Sequence, residues 1–464
     1  MAGESTAVVI GASMGGLLAA RALSEHFARV VVVDRDVLPA APASRRCVPQ
    51  GRQLHVLLAR GRAVLEELFP GLCAQLADAR APMVDLHGQV HWYNDGYPML
   101  RAPSDLVAVG VSRPLLEHTV RGRVAALPGV ELIAGADVAG LLTDAASATV
   151  TGVRVCPVGN LEEPYDLAAD LVVDAGGRAS RSPWWLTQLG YPAPHEDQVR
   201  VDVTYVTRLY QRVPEHLDGL LGALTNAVPG APRAGIAAAL EDDQVAVALS
   251  GMLGEQPPTD DAGMAAFADS LAAPHIATIV REARPVSDAA TMRFPASVRR
   301  RYERLRRFPS GYLVVADALC GFNPIYGQGM TVASLQALLL RRLLAEGEGH
   351  TAGLARSFFR GAARIIDGPW SIAVGTDLRF PDVPGRRLAR VKLTNAYVHR
   401  LHAAATRDAV LGAAFLRVVN LVRPPASLLA PNIVLRVLRG SLRGPAPGRR
   451  RGPPVAAHLR SLWW

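Results

Sequence analysis

Short apolar runs alternate with helically spaced stretches at the start of the chain. Ala7-Val8-Val9-Ile10 is a continuous apolar run, the pattern of a strand covered on both faces. It leads straight into Gly11-Ala12-Ser13-Met14-Gly15-Gly16, and the next stretch has helical spacing, with Gly16, Ala20, Leu23 and Phe27 on one side. A second apolar run, Val30 to Val33, ends in Asp34. Strand, glycine-rich turn, helix, strand and acid in this order form a dinucleotide-binding layout. The helix N-terminus would face a pyrophosphate, and the acid a ribose hydroxyl.

The same grammar returns late in the chain. Gly311 to Val315 reads as a strand, and Asp317 follows it. The loop after it closes in Gly327-Gln328-Gly329-Met330, and a helical pattern runs from Thr331 through Ala333, Leu335 and Leu338 to Leu343. A carboxylate there can accept from sugar hydroxyls. Gly327 and Gly329 let backbone N–H groups approach a flat ring, and the helix N-terminus stabilises negative charge. A third strand, Leu171-Val172-Val173, runs into Asp174-Ala175-Gly176-Gly177-Arg178-Ala179-Ser180.

Between these segments the period changes to two. Gln89 to Tyr93 and Tyr97 to Leu100 read as strands, and Val199 to Tyr205 alternates cleanly. Ala234 to Leu240, the turn Glu241-Asp242-Asp243 and Val245 to Leu249 form a hairpin pattern. A sheet with one apolar face would wall a cavity suited to an extended, lipophilic ligand. Beyond residue 376 the pattern is helical, with Leu411, Phe415, Val418, Val419 and Val422 on one face.

Composition removes several classes. Of 464 residues, 50% are hydrophobic and 20% charged, which excludes a disordered chain. Nothing approaches the roughly 18 uninterrupted apolar residues of a membrane span. Met1 to Gly11 holds Glu4 and no basic residue, unlike a secretory signal. The net charge is +9, but six arginines after Leu438 account for six of those charges, so nucleic-acid binding is not expected. Cys47, Cys73, Cys156 and Cys320 form no CxxC and read as buried thiols in a reducing cytoplasm. His87 and His91 lie on a strand pattern that would not converge them, and His399 and His402 have no third ligand in view, so no metal site is expected. The arginines from Arg299 to Arg307 read as a solvated surface, with docking of an acidic carrier protein as the alternative. Gly11-Ala12-Ser13-Met14-Gly15 also matches a nucleophile elbow and makes Ser13 a candidate serine-hydrolase nucleophile. That motif normally follows earlier strands that supply an oxyanion hole, so it is the weaker expectation.

The loop Ala316-Asp317, Pro324 and Gly327-Gln328-Gly329 resembles the GD…P…GxG ribityl motif of FAD-dependent monooxygenases with the p-hydroxybenzoate hydroxylase-like fold, squalene epoxidase among them. Within that group the chain is most similar to actinobacterial epoxidases of polyether-antibiotic pathways, of the monensin and lasalocid type. The segments that carry this are Val48-Pro49-Gln50-Gly51-Arg52-Gln53-Leu54-His55, Ser112-Arg113-Pro114-Leu115-Leu116-Glu117 and Phe322 to Gly329.

The resemblance implies an α/β fold: a discontinuous Rossmann-like FAD-binding domain (1–80, 106–185, 296–375), an inserted β-sheet substrate domain (81–105, 186–295) and a C-terminal helical region (376–440). A disordered basic tail (441–464) is expected to follow. It places Gly11, Ser13, Met14, Gly15 and Gly16 at the pyrophosphate, Asp34 and Arg35 at the adenosine, and Arg46 and Arg113 near flavin and pyrophosphate. Val138 would contact adenine, Asp317 the ribityl chain, and Pro324, Gly327, Gln328, Gly329 and Met330 the isoalloxazine side. No side chain is singled out as catalytic.

The implied reaction is epoxidation of an alkene in a lipophilic polyketide or terpenoid through a flavin C4a-hydroperoxide, in a cytoplasmic enzyme of secondary metabolism. Aromatic hydroxylation and prenyl-type reduction are the redox alternatives. Gly176 and Gly177 stand where the hydroxylases have Asp-Gly, so NAD(P)H is expected as the ultimate electron donor through a separate flavin reductase. A halogenase of this fold needs a lysine and a Trp-x-Trp-x-Ile-Pro motif. Here only Trp370-Ser371-Ile372 and the single Lys392 are found, so halogenation is not expected. The substrate would be a lipophilic small molecule, carrier-bound or free, and any membrane contact would be peripheral.

Overall fold

The computed structural model describes residues 5–159, 163–347 and 353–444. Five parallel strands form the first sheet, in the order Tyr312–Val314, Leu171–Asp174, Thr6–Ile10, Arg29–Asp34 and Val130–Ala134. Ala7, Val8, Val9 and Val30 to Val32 are wholly buried, which explains why these strands read as unbroken apolar runs. The helices Met14–Leu23 and Gly329–Glu346 pack together beside this sheet. Elsewhere, an antiparallel sheet of Ala136–Thr143, Val150–Pro157 and Tyr165–Ala168 packs on the strands Arg29–Asp34 and Leu171–Asp174.

A second sheet has eight strands: Cys320–Gly321, Ala290–Arg300, Glu196–Gln211, Gln244–Gly251, Arg233–Leu240, Gly222–Thr225, Val90–Asn94 and Tyr97–Pro98. All its pairings are antiparallel except that of Gly222–Thr225 with Val90–Asn94. The helices Asp261–Asp269 and Pro274–Glu282 cover one face through Val206, Tyr210, Val247, Leu249, Met264 and Ile276. The alternation expected from Val199 to Tyr205 holds through Val203, with Val199, Val201 and Val203 buried and Arg200 and Asp202 exposed, and ends at Thr204, which is also buried. The pairing register nevertheless slips between Arg200 and Val203, where Asp202 takes a left-handed φ of 43°.

The C-terminal helices Leu354–Asp377, Ala389–Ala404, Ala409–Val419 and Pro431–Arg443 bury Leu401, Leu411, Leu416 and Val437 against Val84, Met99 and Leu106. Val422 falls beyond the helix that ends at Val419 and is exposed. Ser441 to Arg443 belong to the last helix rather than to a tail, and the remainder of the expected tail lies outside the described residues. Only Cys320 is a buried thiol; Cys47, Cys73 and Cys156 are half-buried. Among the described residues no helix is long and apolar enough to cross a membrane.

Candidate functional site

A cavity of about 1560 Å³ opens at the carboxyl ends of the parallel strands and continues between the eight-stranded sheet and the C-terminal helices. In open parallel sheets that crevice is where ligands bind. One end is built from the two glycine-containing loops. Gly11 has φ 100°, and a Cβ there would stand 2.9 Å from the Ala175 carbonyl oxygen. A Cβ on Gly16 would stand 1.7 Å from the Gly11 carbonyl oxygen, so no other residue fits that turn.

The helix Met14–Leu23 starts without a side-chain cap and with no acid in its first turn. Its N-terminal N–H groups are thus left for an anion. Ser13, at the cap position, turns its side chain elsewhere. Its Oγ donates to Glu117 Oε2 at 2.9 Å and accepts from Arg113 Nη2 at 2.8 Å. No histidine reaches it among the described residues, and Glu117, which accepts from it, is a weak base because Arg113 and Arg45 hold its pKa down. The hydrolase expectation finds no support in this geometry.

Beneath the turn lies a buried charge network. Asp34 accepts from the Ala12 N–H at 2.6 Å and from Arg45 Nη1 at 3.2 Å. Arg45 reaches Glu117 at 2.7 Å and donates to the Ala12 carbonyl at 3.1 Å. Burial works against the Arg45 charge, but Glu117 and Asp34 overcome that and raise its pKa. Glu117 is likewise held below the usual carboxylate range: burial pushes it up, and Arg113 and Arg45 more than offset this.

The expectation for Arg46 needs correcting. Arg46 is exposed and lies outside the main cavity, in a surface hollow with Arg35, Asp36 and Cys47, because its neighbour Arg45 takes the inward place between the carboxylates. Met14, Gly15, Arg35 and Arg113 line the main cavity, as does Val138, whose carbonyl accepts from Arg181 at 2.6 Å.

The second loop meets the first: a Cβ on Gly15 would lie 2.6 Å from the Ala316 Cβ. Ala316, where the family motif has glycine, sits at φ 55°, a conformation that costs an alanine on the order of 1–2 kcal/mol. Its N–H is held by Gln336 Oε1 at 2.7 Å. Asp317 lines the cavity, and a Cβ on Gly329 would stand 3.8 Å from its Oδ1. Burial raises its pKa against the opposing pull of Arg113 and Arg178. Pro324, Gly327, Gln328, Gly329 and Met330 line the same space, although the Gln328 side chain turns toward the Val419 carbonyl at 3.4 Å. Asp377 fixes this loop from behind, accepting from the Tyr326 hydroxyl at 2.7 Å and from Asn323 Nδ2 at 3.1 Å. Its Oδ2 has no hydrogen-bond partner among the described residues, and burial pushes its pKa up to about 7. The third strand's acid, Asp174, also lines the cavity, and it accepts from the Gly176 N–H at 2.7 Å and from the Ser180 and Ser182 hydroxyls.

The far end is different. Trp92, Ile236, Ala238, Ala248, Phe415 and Val419 make an apolar chamber. Its one dense polar node, among the described residues, centres on Asp95, which accepts from His402 Nδ1 at 2.7 Å, His399 Nδ1 at 3.2 Å and Arg379 at 2.5 Å. Burial alone would raise the Asp95 pKa; His402, His399 and Arg379 instead hold it far below the usual range. His402 lines the cavity with its ring edge-on to Phe415, and its Nε2 has no hydrogen-bond partner among the described residues. Glu117, Arg45, Asp95 and Asp377 were not singled out by sequence; the i, i+4 pair Arg113–Glu117 was the one local signal available. The arginine cluster also changes character. Arg299 is buried and paired with Asp367, while Arg300 and Arg301 pair with Glu196 and Asp197.

No family model matches the sequence. The fold is that of FAD-binding Rossmann-type flavoenzymes with a substrate domain. A flavoprotein/dehydrogenase from Cytophaga hutchinsonii is 14% identical with a TM-score of 0.66, covering 94% of this chain and 98% of its own. The flavin-dependent brominase Bmp2 is 15% identical with a TM-score of 0.64, covering 94% and 98%. The probable FAD-dependent monooxygenase pqsL from Pseudomonas aeruginosa is 17% identical with a TM-score of 0.61, covering 81% and 97%. In sequence, Protein Rv3254 of Mycobacterium tuberculosis is 34% identical over 456 residues, 94% of each chain. At that identity over nearly the whole length, the chain belongs to the family of this mycobacterial protein.

Proposed function

We propose that the protein is an FAD-dependent monooxygenase that epoxidises an alkene of a lipophilic polyketide or terpenoid. The observation that carries this is the meeting, in one cavity, of the Gly11–Gly16 turn, Asp317 and the Gly327–Gly329 loop with a chamber of apolar side chains. A dinucleotide with a flat ring fits these residues. The uncapped helix start and Arg113 suit a pyrophosphate, and Asp317, which lines the cavity, suits ribityl hydroxyls. Bound and reduced FAD would supply oxygen activation and transfer of one oxygen atom to the alkene. The chain's own part is to hold the cofactor through the two loops and to exclude water with Trp92, Phe415 and their neighbours. Electrons would come from NAD(P)H through a separate flavin reductase.

Likeness to a brominase concerns the fold alone. Lys392, the sole lysine, is exposed on the helix Ala389–Ala404, which favours oxygenation over halogenation. Phenol hydroxylation is the second reading, favoured by His402. Asp95 can fix the proton on its Nδ1, which leaves Nε2 as an acceptor beside the chamber, the arrangement of a general base.

The purified protein should carry FAD, seen in its absorption spectrum, and give a product one oxygen heavier under labelled O₂. Asp317→Ala should weaken FAD binding about 10–100-fold, the loss of one or two charge-assisted hydrogen bonds, in a fluorescence titration. A colourless protein that takes up no FAD refutes the proposal. A coloured one that yields an unlabelled, saturated product makes it a prenyl-type reductase.

A further inference from the structure

On the strand Val90–Asn94, Val90, Trp92 and Asn94 line the cavity, while His91 points to the opposite face. There it meets two residues from distant segments. Asp218 follows the short helix Pro214–Leu217 in a left-handed conformation, and His275 stands in the first turn of the helix Pro274–Glu282. His91 Nε2 lies 3.3 Å and His275 Nε2 3.0 Å from the same Asp218 oxygen, Oδ2. All three ligand atoms lie within 4.8 Å of one another.

We propose that His91, Asp218 and His275 bind one divalent transition-metal ion, zinc by their nitrogen and oxygen donors, at a site separate from the cavity.

Where the ring protons sit decides what these atoms can hold. The Leu217 carbonyl accepts from the His91 ring, and since Nε2 has no hydrogen-bond partner, that donor is Nδ1. A histidine held through Nδ1 by a backbone carbonyl presents Nε2 as a lone pair, the usual posture of a metal-ligating imidazole. That lone pair faces a carboxylate oxygen that is also only an acceptor. Two acceptors at 3.3 Å call for a cation between them.

The separations of 3.0 and 3.3 Å match the edge of a tetrahedron whose bonds are about 2.0–2.1 Å. In this structure His275 donates from Nε2 to Asp218 Oδ2, and the two rings stack at 3.9 Å with planes 14° apart, so the His275 proton must shift to Nδ1 and the rings must tip from the stack to aim both lone pairs at one ion. Asp218, with 66% of its side chain exposed, is free to follow and leaves the fourth position to water. The ion would tie the strand, the turn and the helix together at the edge of the sheet.

The test uses the full chain, stripped with EDTA and dialysed, titrated with zinc chloride by calorimetry and with cobalt by visible absorption. The expected result is one ion per chain and a higher thermal midpoint with zinc. Asp218→Asn keeps the shape of an exposed side chain and should lower affinity at least tenfold; His91→Ala and His275→Ala should abolish saturable binding. His195→Ala, at an exposed histidine elsewhere, should change nothing. Absence of one-to-one binding, or binding that survives Asp218→Asn and His275→Ala, overturns the proposal. Loss of FAD in any of these proteins is read separately from the flavin spectrum and does not bear on it.

Discussion

The two ends of the cavity solve recognition in opposite ways. At the parallel sheet, backbone does the work: Gly11 and Gly16 clear space, and the buried charges of Arg45, Glu117 and Asp34 brace the turn from below. At the far end, side chains do it, with alanines and aromatics from one sheet facing helices that begin after residue 388. The first construction tolerates almost no change of shape but little depends on remote sequence. The second can be resized residue by residue, yet exists only once distant segments have met. One pole is therefore suited to a constant ligand and the other to a variable one.

Substitution at each pole tests that contrast. Gly16→Ala should have the largest effect. A Cβ 1.7 Å from the Gly11 carbonyl must displace the turn, and we expect complete loss of FAD with several kcal/mol of destabilisation in denaturant melts. Retention of flavin would mean that the turn is not the rigid element. At the other pole, Asp95→Asn leaves Arg379 without its carboxylate and should cost about 3 kcal/mol, while flavin affinity stays within twofold. If flavin is lost as well, the poles are coupled.

Asp377 gives a pH-dependent contrast. Its pKa is raised to about 7 in the folded protein, so the folded state binds the extra proton between its unfolded pKa, near 4, and 7. Its contribution is therefore present in full below pH 4 and fades as pH rises through 7. Asp377→Asn, which keeps an acceptor oxygen for Tyr326, should melt higher than the parent at pH 8 and about equally at pH 5. A constant difference at both values would remove the titration from the explanation. The smallest effect belongs to Ala316→Gly. Relief of the positive φ should raise stability by up to about 1 kcal/mol with flavin affinity unchanged.

Much of the fold was legible because its signals are local. Apolar runs, a glycine turn and an acid at fixed spacing need no knowledge of the rest of the chain, and Ala7 to Val9 are buried as such a run requires. What sequence could not supply was set by partners far away. Whether Arg45 or Arg46, both in a loop, turns inward depends on Glu117, which lies on the distant helix Arg113–Ala125. Asp95 and His402 are 307 positions apart, and nothing near either one announces the pair. The bulge at Asp202 left no mark in the sequence, because Val199, Val201 and Val203 keep the buried alternation through it while only the pairing register slips.

The strand order of the parallel sheet also sets a timetable. Thr6–Ile10 lies at its centre, yet its neighbour Leu171–Asp174 and that strand's own partner Tyr312–Val314 come much later. At translation speeds of roughly 5–20 residues per second, the central strand waits about 15–60 s for the outer one to leave the ribosome. During that interval a fully apolar edge has no permanent partner. Such a chain folds slowly and rewards a holding chaperone, so its yield in a heterologous host should improve with slower synthesis at low temperature.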